Sequence, residues 1–223
     1  MFYENIVEGI FLSRPNRFIA KVLINGIEET VHVKNTGRCK ELLVEGCTVF
    51  LEKSSNPLRK TLYDCIAVKK GDRIFNMDSV APNTVAYEYF FSPTLKRERV
   101  YKNSRFDLFD GGSNTFMEIK GVTLEKDNIA LFPDAPTDRG RKHIYELIDA
   151  KKNGFNAKII FIIQFEGAKK FIPNYITDEK FRDALIEARK NGVEIEAYDC
   201  FVTENSLTVK DRVELCLDQL LPI

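Results

Sequence analysis

Short apolar runs separated by turn-forming residues dominate the first 80 positions of the chain. Runs rich in Val, Ile, Phe and Leu predict strands over residues 5–13, 18–24, 28–34, 48–53 and 62–69. Asn25-Gly26, between the second and third runs, is a strong β-hairpin signal. Helix is scarce here, with one turn predicted around residues 39–43. Because so many short strands need closure to hide their edges, we expect a small barrel such as an OB-fold.

The pattern changes after Ala81-Pro82, and helices alternate with strands from there. Helices are predicted over 83–91, with Asn83 as the cap, from Thr137 or Asp138 to residue 153, and over 177–190. Strands are predicted over 95–101, 105–109, 115–120, 158–165 and 193–202. This order favours a mixed sheet with helices on both sides. We therefore predict an α/β (mixed) protein, with an OB-like β-barrel at 1–80 and a second α/β domain at 81–223.

Composition narrows the class of protein. The chain has 33 Lys/Arg and 33 Asp/Glu, with 25 against 21 (net +4) in residues 1–158 and 8 against 12 (net −4) afterwards. A moderately basic front permits nucleic-acid contact without requiring it. An odd number of cysteines, five, without a Cys-x-x-Cys pair, argues against a disulfide framework and a zinc cluster. The longest apolar run, 159–163, is too short to span a bilayer, and no signal peptide is recognisable, so we expect a cytoplasmic protein without a membrane partner.

Asp107, Glu118 and Lys120 are the candidate chemical residues. Alternate side chains of a strand share one face, so Glu118 and Lys120 project the same way. Pairing through the 110–114 turn brings Asp107 near Glu118, and two close carboxylates repel unless a cation lies between them. Mg²⁺ (or Mn²⁺) suits such a place, with the Ile119 carbonyl as a further oxygen ligand. On these residues alone, ordinary alternation along an exposed strand is the stronger explanation of the pattern.

The order helix, acidic hairpin, lysine-bearing strand and helix resembles the PD-(D/E)xK nuclease superfamily. That resemblance implies an acidic residue on the first helix, for which Glu88 is the candidate. It also implies a Lys or Gln on the helix after the third strand, for which Lys142 is the candidate. Asp134, in the loop before that helix, either reaches the metal, directly or through water, or simply forms a turn.

Motifs along nearly the whole chain resemble the sugar fermentation stimulation protein A (SfsA) family. They are Asn-Thr-Gly-Arg at 35–38, Asn-Pro-Leu-Arg-Lys at 56–60, Ser-Arg-Phe-Asp at 104–107, Glu-Ile-Lys-Gly-Val-Thr-Leu at 118–124, Phe-Pro-Asp-Ala at 132–135, Arg-Gly-Arg-Lys-His at 139–143 and Gly-Val-Glu at 192–194. One small departure is Pro136, where the family pattern has Val. The resemblance implies an OB-like first domain, a restriction-endonuclease-like second domain and DNA binding.

Basic residues supply the candidate nucleic-acid contacts. They are Arg38, Lys40, Arg59, Lys60, Arg105, Arg139 and Arg141. Cations at a helix start oppose the helix dipole, so the 139–142 cluster favours either a bound phosphate or compensation by Asp134, Asp138 and Glu146. His143 is either a general acid or a packing residue. Phe18, Phe50 and Tyr63 are either stacking platforms or core residues.

These observations predict a DNA-binding protein with a divalent-metal-dependent nuclease-type site that hydrolyses phosphodiesters. The alternative is a non-cleaving DNA-binding regulator of sugar (maltose-type) metabolism on a nuclease fold, as the family name suggests. A small-molecule phosphoesterase fits less well, because the basic loops of the first domain lie far from the site in sequence. The choice between DNA and RNA, the number of metal ions and the oligomeric state, a homo-oligomer included, stay open.

Overall fold

A closed β-barrel forms the first part of the computed structural model, which describes residues 1–35 and 37–219. Its strands are β1 (Ile6–Asn16), β2 (Ile19–Ile24), β3 (Ile27–Val33), β4 (Thr48–Lys53), β5 (Tyr63–Lys70) and β6 (Arg73–Asn76). They follow the order β3-β2-β1-β4-β5-β6, and a parallel pairing of β3 with β5 closes the barrel. The predicted OB-like barrel is confirmed. Residues 39–43 form a hydrogen-bonded turn rather than a helix.

Two sheets and three helices make up the second part. The helices are α1 (Ala81–Tyr89), α2 (Asp138–Lys152) and α3 (Tyr175–Lys190). The strands are β7 (Leu95–Tyr101), β8 (Ser104–Asp110), β9 (Thr115–Val122), β10 (Leu124–Lys126), β11 (Ile129–Phe132), β12 (Asn156–Ile163), β13 (Lys170–Pro173), β14 (Glu194–Val202), β15 (Leu207–Arg212) and β16 (Glu214–Leu215). The larger sheet has the order β15-β14-β12-β9-β8-β7, and the smaller one β10-β11-β13-β16.

The larger sheet is mixed and is covered on both faces. Its central strand, β12, runs parallel to both β9 and β14, whereas the outer pairs are antiparallel. Helix α1 packs through Val85 and Ala86 on one face, while Leu147 of α2 and Leu185 of α3 belong to the core on the other. A strand buried on both faces must be almost wholly apolar, as β12 is. The predicted mixed α/β architecture is confirmed.

Helix α1 corrects one detail of the sequence analysis. It begins at Ala81, not after a cap at Asn83, and Pro82 occupies its first turn. Proline is favoured there because its missing N–H would have no helical partner anyway. Asn83 is thereby released from capping, and its side chain bonds to another residue, described below.

Directional polar contacts join the barrel to the larger sheet. The Gln164 Nε2 group donates to Asn76 Oδ1 at 2.8 Å and to the Asp78 carbonyl at 3.0 Å. The Gln164 carbonyl accepts the Asn76 backbone N–H at 2.9 Å. Lys34 pairs with the buried Asp78 at 2.7 Å, and the Tyr3 hydroxyl donates to the same carboxylate at 3.3 Å. The buried Gln164 contacts fix the relative position of the two parts, and the Lys34 and Tyr3 contacts hold Asp78 in place beside them.

Two further features of the described residues are the length of the helices and the state of the cysteines. No helix in residues 1–35 and 37–219 is long and apolar enough to cross a membrane. All five cysteines lie in the described part of the chain and are free thiols.

The seam that closes the barrel holds a buried ion pair, from which a stability prediction follows. Asp64 accepts two hydrogen bonds of 2.8 Å from Arg59 and one of 2.8 Å from His32. Burial alone would raise the pKa of Asp64, but these partners hold that pKa below its ordinary value of 3.8. The ionised carboxylate therefore stabilises the fold above pH 3.8, and this contribution is lost as the pH falls through the lowered pKa.

We expect Arg59→Ala to lower the free energy of unfolding by about 1–3 kcal/mol at pH 7, since it removes both guanidinium hydrogen bonds. Urea unfolding at several pH values measures this. The difference between parent and variant should shrink below pH 3.8. The exposed neighbour provides the control, with Lys60→Ala changing stability by less than about 0.5 kcal/mol. Equal losses in both variants would contradict the ion-pair account.

Candidate functional site

The candidate site lies where two neighbouring strands part. Strands β8 and β9 pair only from Leu108–Met117 to Asp110–Thr115. Beyond that point β9 continues its parallel pairing with β12 as far as Val122. The Ile119 amide consequently has no backbone partner on β8, and it donates to Asp107 Oδ2 at 2.8 Å instead. The carboxylate thus fills a gap in the ladder at the edge of the opening.

Asp107 is held from two sides. Its Oδ2 accepts the Ile119 amide and its Oδ1 accepts Asn83 Nδ2 of α1 at 2.8 Å. Burial and the negative charge of Glu118 raise the pKa of Asp107, and its hydrogen bonds and Lys120 offset this only in part. The ionised form is therefore disfavoured unless additional positive charge arrives.

Glu118 is the more deeply buried carboxylate, with its side chain 4% exposed. Its Oε1 contacts His143 Nδ1 of α2 at 2.5 Å and also pairs with Lys120 Nζ. Burial raises the pKa of Glu118, but the His143 hydrogen bond and the Lys120 charge more than compensate, so the pKa lies below its usual range. The other oxygen, Oε2, is buried without a hydrogen-bond partner. A buried carboxylate oxygen without a hydrogen-bond partner destabilises the fold, and such groups are often found at ligand or ion sites.

The site therefore combines two carboxylates, a lysine and one orphaned acceptor. Carboxylate oxygens are the ligands that Mg²⁺ prefers, and Mg²⁺ binds through one or two of them. Within the described residues, no group of three or more His, Cys, Asp or Glu side chains is arranged to hold a metal ion. Any ion at this place would rely on Asp107, Glu118 and non-side-chain oxygens, among which the Ile119 carbonyl stays a prediction.

Glu88 does not join the site, contrary to the sequence-based expectation. Its exposed carboxylate pairs with the Met1 ammonium at 2.8 Å. Five residues along an α-helix correspond to a rotation of about 140° from Asn83, so Glu88 faces another direction. Helix α1 contributes the Asn83 amide to Asp107 and not an acid.

On α2, His143 rather than the predicted Lys142 contacts the site. Lys142 is exposed and contacts the Asn103 carbonyl at 3.1 Å and Glu146 at 3.7 Å. His143 turns inward instead, where it is 6% exposed and contacts Glu118. The helical pattern contained the signal, since His143 lies one turn before the core residue Leu147, whereas Lys142 does not share that face.

Asp134 lies against the barrel. Its Oδ2 accepts the Arg38 backbone N–H at 3.4 Å, and a Cβ at Gly37 would lie 2.7 Å from the same oxygen. This places Asp134 beside Gly37 and Arg38, and its role at a metal stays a prediction. Thr36, which belongs to the first motif, lies outside the described residues.

The other predicted nucleic-acid contacts divide into free and engaged cations. Arg38, Lys40, Lys60 and Arg139 are exposed. Arg59 is engaged by Asp64, and Arg141 pairs with Asp138 and, at 2.5 Å, with the buried Asp178. Acidic residues therefore do neutralise a cation at the start of α2, and the buried one, Asp178, comes from α3. Of the candidate platforms, Phe18 is 54% exposed, Phe50 is buried, and Tyr63 is half-buried.

A basic hairpin that the sequence analysis credited only with Arg105 leads into the site. Residues 95–105 contain five Lys/Arg against one Glu, net +4. Lys96, Arg97 and Arg99 are exposed on the edge strand β7, and Arg97 lies over the Tyr87 ring at 4.2 Å. Arg105 makes a loose, exposed pair with Glu98 at 3.5 Å. The run of basic residues at 95–105 could have indicated this surface in the sequence. The net charge taken over all of residues 1–158 concealed it.

Comparisons with known proteins agree along the whole chain. The sequence model of the sugar fermentation stimulation protein RE domain matches residues 80–206, and that of the SfsA N-terminal OB domain matches residues 12–77. The chain belongs to the sugar fermentation stimulation protein (SfsA) family. A family homolog from Desulfitobacterium hafniense (strain Y51) is 52% identical over 225 residues, covering 97% of this chain and 99% of its own. One from Clostridium beijerinckii is 50% identical over 226 residues, covering 97% and 100%.

A solved structure extends the family likeness to three dimensions. It is described as Pyrococcus furiosus SfsA in complex with Ca²⁺. It superposes with a TM-score of 0.84 at 27% sequence identity and covers 96% of this chain and 97% of the other. The barrel followed by a mixed sheet is therefore the fold of this SfsA relative as well.

The opposite pKa directions of the two carboxyls predict opposite effects of neutralising them. Asn at position 107 keeps an acceptor for the Ile119 amide, and a flip of the Asn83 amide restores the second bond. Because ionised Asp107 is disfavoured, Asp107→Asn should raise the free energy of unfolding at pH 7 by about 0.5–2 kcal/mol. This gain should shrink at acidic pH, where the parent carboxyl is itself protonated.

Glu118→Gln should have the reverse effect and cost about 1–3 kcal/mol, because a neutral amide oxygen accepts more weakly from His143 and Lys120. Urea unfolding of both variants beside the parent measures the two changes. Equal destabilisation by both substitutions would show that the two carboxyls are ordinary structural residues.

Proposed function

We propose that this SfsA-family protein binds nucleic acid, with DNA as the expected substrate, and hydrolyses phosphodiester bonds at a divalent-metal-dependent, nuclease-type site. The buried Glu118 Oε2 without a partner, beside a half-buried Asp107 whose pKa is raised, carries the proposal. Neither feature benefits the fold. Both become favourable when a cation and a phosphate occupy the opening between β8 and β9. The cytoplasm is the expected compartment.

The donor set fits Mg²⁺ or Mn²⁺, which Asp107, Glu118 and the Ile119 carbonyl would hold. Such an ion supplies charge stabilisation for the phosphate and lowers the pKa of water at the site. Lys120, 17% exposed, offers a cation beside Glu118 for a phosphate oxygen or the attacking water. His143 fixes the Glu118 carboxylate from behind, and Asn83 does the same for Asp107. The arrangement agrees with the PD-(D/E)xK pattern in which an acidic hairpin precedes a lysine.

Nucleic acid is favoured over a small substrate by the basic hairpin at residues 95–105. Its cations are exposed and belong to the β7–β8 hairpin that carries Asp107. Arg97 lies over the Tyr87 ring, and the 65% exposed Phe91 lies beside Tyr87. Arginines and aromatic rings together suit a backbone with bases beside it. The Ca²⁺ in the Pyrococcus furiosus SfsA structure supports divalent-cation binding in this family.

A second candidate is a DNA-binding protein, involved in regulating sugar metabolism, that does not cut. One observation favours it: Glu118 Oε1 is already shared by His143 and Lys120. In that case the buried network would be a structural element and the basic hairpin would be the functional surface.

A cleavage assay distinguishes the two candidates. Single- and double-stranded DNA and RNA are incubated with the parent and Mg²⁺ or Mn²⁺, beside Asp107→Asn, Glu118→Gln and Lys120→Met. We expect the parent to cut at least one substrate and each variant to be slower by about a hundredfold or more. Glu88→Gln is the matched control, the same carboxylate-to-amide change outside the site, and should retain activity. DNA binding by all proteins with no cutting by any would favour the non-cleaving role.

The basic hairpin generates a separate binding prediction. The triple variant Lys96→Gln, Arg97→Gln, Arg99→Gln should bind DNA more weakly, and its log Kd against log salt should be shallower by about 2–3 units. Fluorescence anisotropy across a salt series measures both effects. A control with three exposed lysines changed elsewhere, Lys152→Gln, Lys180→Gln and Lys190→Gln, should retain the parent slope. If the two triple variants lose affinity equally, only net charge matters and the hairpin is not the docking surface.

A further inference from the structure

A pocket of about 380 Å³ lies where the barrel meets the second part of the chain, separate from the Asp107–Glu118 site. We call it the barrel–sheet pocket and define it by Arg17, Arg38, Gly121, Phe132, Asp134 and Gln164. Its volume falls within the range of roughly 300–1,000 Å³ in which small-molecule sites are found. Gly121 directly follows Lys120, so the pocket wall begins one residue, about 3.8 Å between Cα atoms, beyond the candidate catalytic lysine.

Arg14 organises the charged side of this pocket. One nitrogen of its guanidinium donates to the carbonyls of Gly37 (2.9 Å) and Arg38 (2.7 Å), and the other to those of Arg17 (2.7 Å) and Asn35 (2.6 Å). One half-buried cation therefore fixes the backbone at Arg17 and at Gly37–Arg38. The guanidinium groups of these two arginines form no ion pair with a carboxylate of the described residues, so both are available to an anion.

Hydrogen-bond acceptors and an apolar wall complete the lining of the pocket. Gln164 is 1% exposed, and its Nε2 hydrogens are both used by Asn76 and Asp78. Its Oε1 lies over Gly121, where a Cβ would approach it to 2.6 Å, and accepts no hydrogen bond from the described residues. From the described residues Asp134 accepts only the long Arg38 amide contact of 3.4 Å. Phe132 and its neighbours supply apolar surface between these oxygens.

We propose that the barrel–sheet pocket binds one nucleotide, with its phosphate on Arg17 and Arg38 and its base against the Phe132 wall. Planar fork-shaped guanidiniums suit phosphate oxygens. The acceptors Gln164 Oε1 and Asp134 suit the N–H groups of a base or the hydroxyls of a sugar. An inorganic anion would leave the apolar wall uncovered, and an apolar molecule would leave both arginines unused. A nucleotide satisfies all three surfaces.

Titration calorimetry without metal tests this, with the four nucleoside 5′-monophosphates as probes. We expect at least one to bind with a Kd below about 1 mM. Inorganic phosphate alone and the matching nucleoside alone should each bind at least about tenfold more weakly, since each fills half of the site. No binding of any monophosphate, or equal binding of phosphate alone, overturns the proposal.

Variants locate the binding. Arg17→Gln, Arg38→Gln should weaken monophosphate binding by about tenfold or more, since it removes both charged donors. The matched control Lys53→Gln, Lys69→Gln removes two exposed cations of the same barrel outside the pocket and should bind like the parent. Circular dichroism confirms that each variant is folded. Unchanged binding by the arginine variant places the nucleotide elsewhere and refutes the assignment.

Two further arms separate this inference from the proposed function and identify the source of the nucleotide. Asp107→Asn should bind monophosphates like the parent. If the parent binds monophosphates but cuts no nucleic acid, the pocket assignment stands and the nuclease proposal fails. A 5′-phosphorylated tetranucleotide that binds more tightly than the monophosphate identifies a strand end as the occupant. A monophosphate that binds more tightly identifies a free nucleotide.

Discussion

The hydrogen bond from the Ile119 amide to Asp107 is the contact on which the site depends. A buried N–H at the point where two strands separate needs an acceptor, or it costs about 1–3 kcal/mol. Asp107 supplies that acceptor from its side chain, so β8 can leave β9 without an unpaired amide. The opening in the sheet and the position of its first carboxylate therefore have the same cause. A substitution that removes the acceptor would disturb both, whereas Asn preserves the geometry and removes only the charge.

Glu118 shows how the protein tolerates a charge in its interior. Isolated, a carboxylate 4% exposed would be neutral or would destabilise the fold. His143 and Lys120 both contact one oxygen and keep the group ionised, but they leave the other oxygen without a partner. A purely structural network would satisfy both oxygens. Burial and the charge of Glu118 raise the pKa of Asp107, whereas His143 and Lys120 lower the pKa of Glu118, so the two carboxyls are expected to respond oppositely to neutralisation.

The sequence predicted the long elements well because their periodicity reflects burial. The apolar run of β12 and the strands and helices around it were recognisable, as was the barrel from Asn25-Gly26 and its neighbours. Strands such as β10, β13 and β16 have two to four residues and exist only through tertiary pairing, so no local pattern marks them. The same limit applied to Glu88 and Lys142. The order of the motifs indicates which helix contributes to the site, but the direction of each side chain depends on how that helix packs. Packing places Asn83 and His143 at the two carboxylates.

The joint between the barrel and the sheet explains why both parts are needed for the pocket beside the site. Gln164 directly follows the central strand β12, and its amide hydrogens bond to the barrel residue Asn76 and to the Asp78 carbonyl. Those bonds orient its Oε1 toward Gly121, one residue past Lys120. Arg14 performs the equivalent task on the barrel side by fixing the loops of Arg17 and Arg38. Neither half presents cations and acceptors across one cavity by itself. Docking of the barrel therefore places the arginines of the barrel loops and the oxygens of the second part around one cavity.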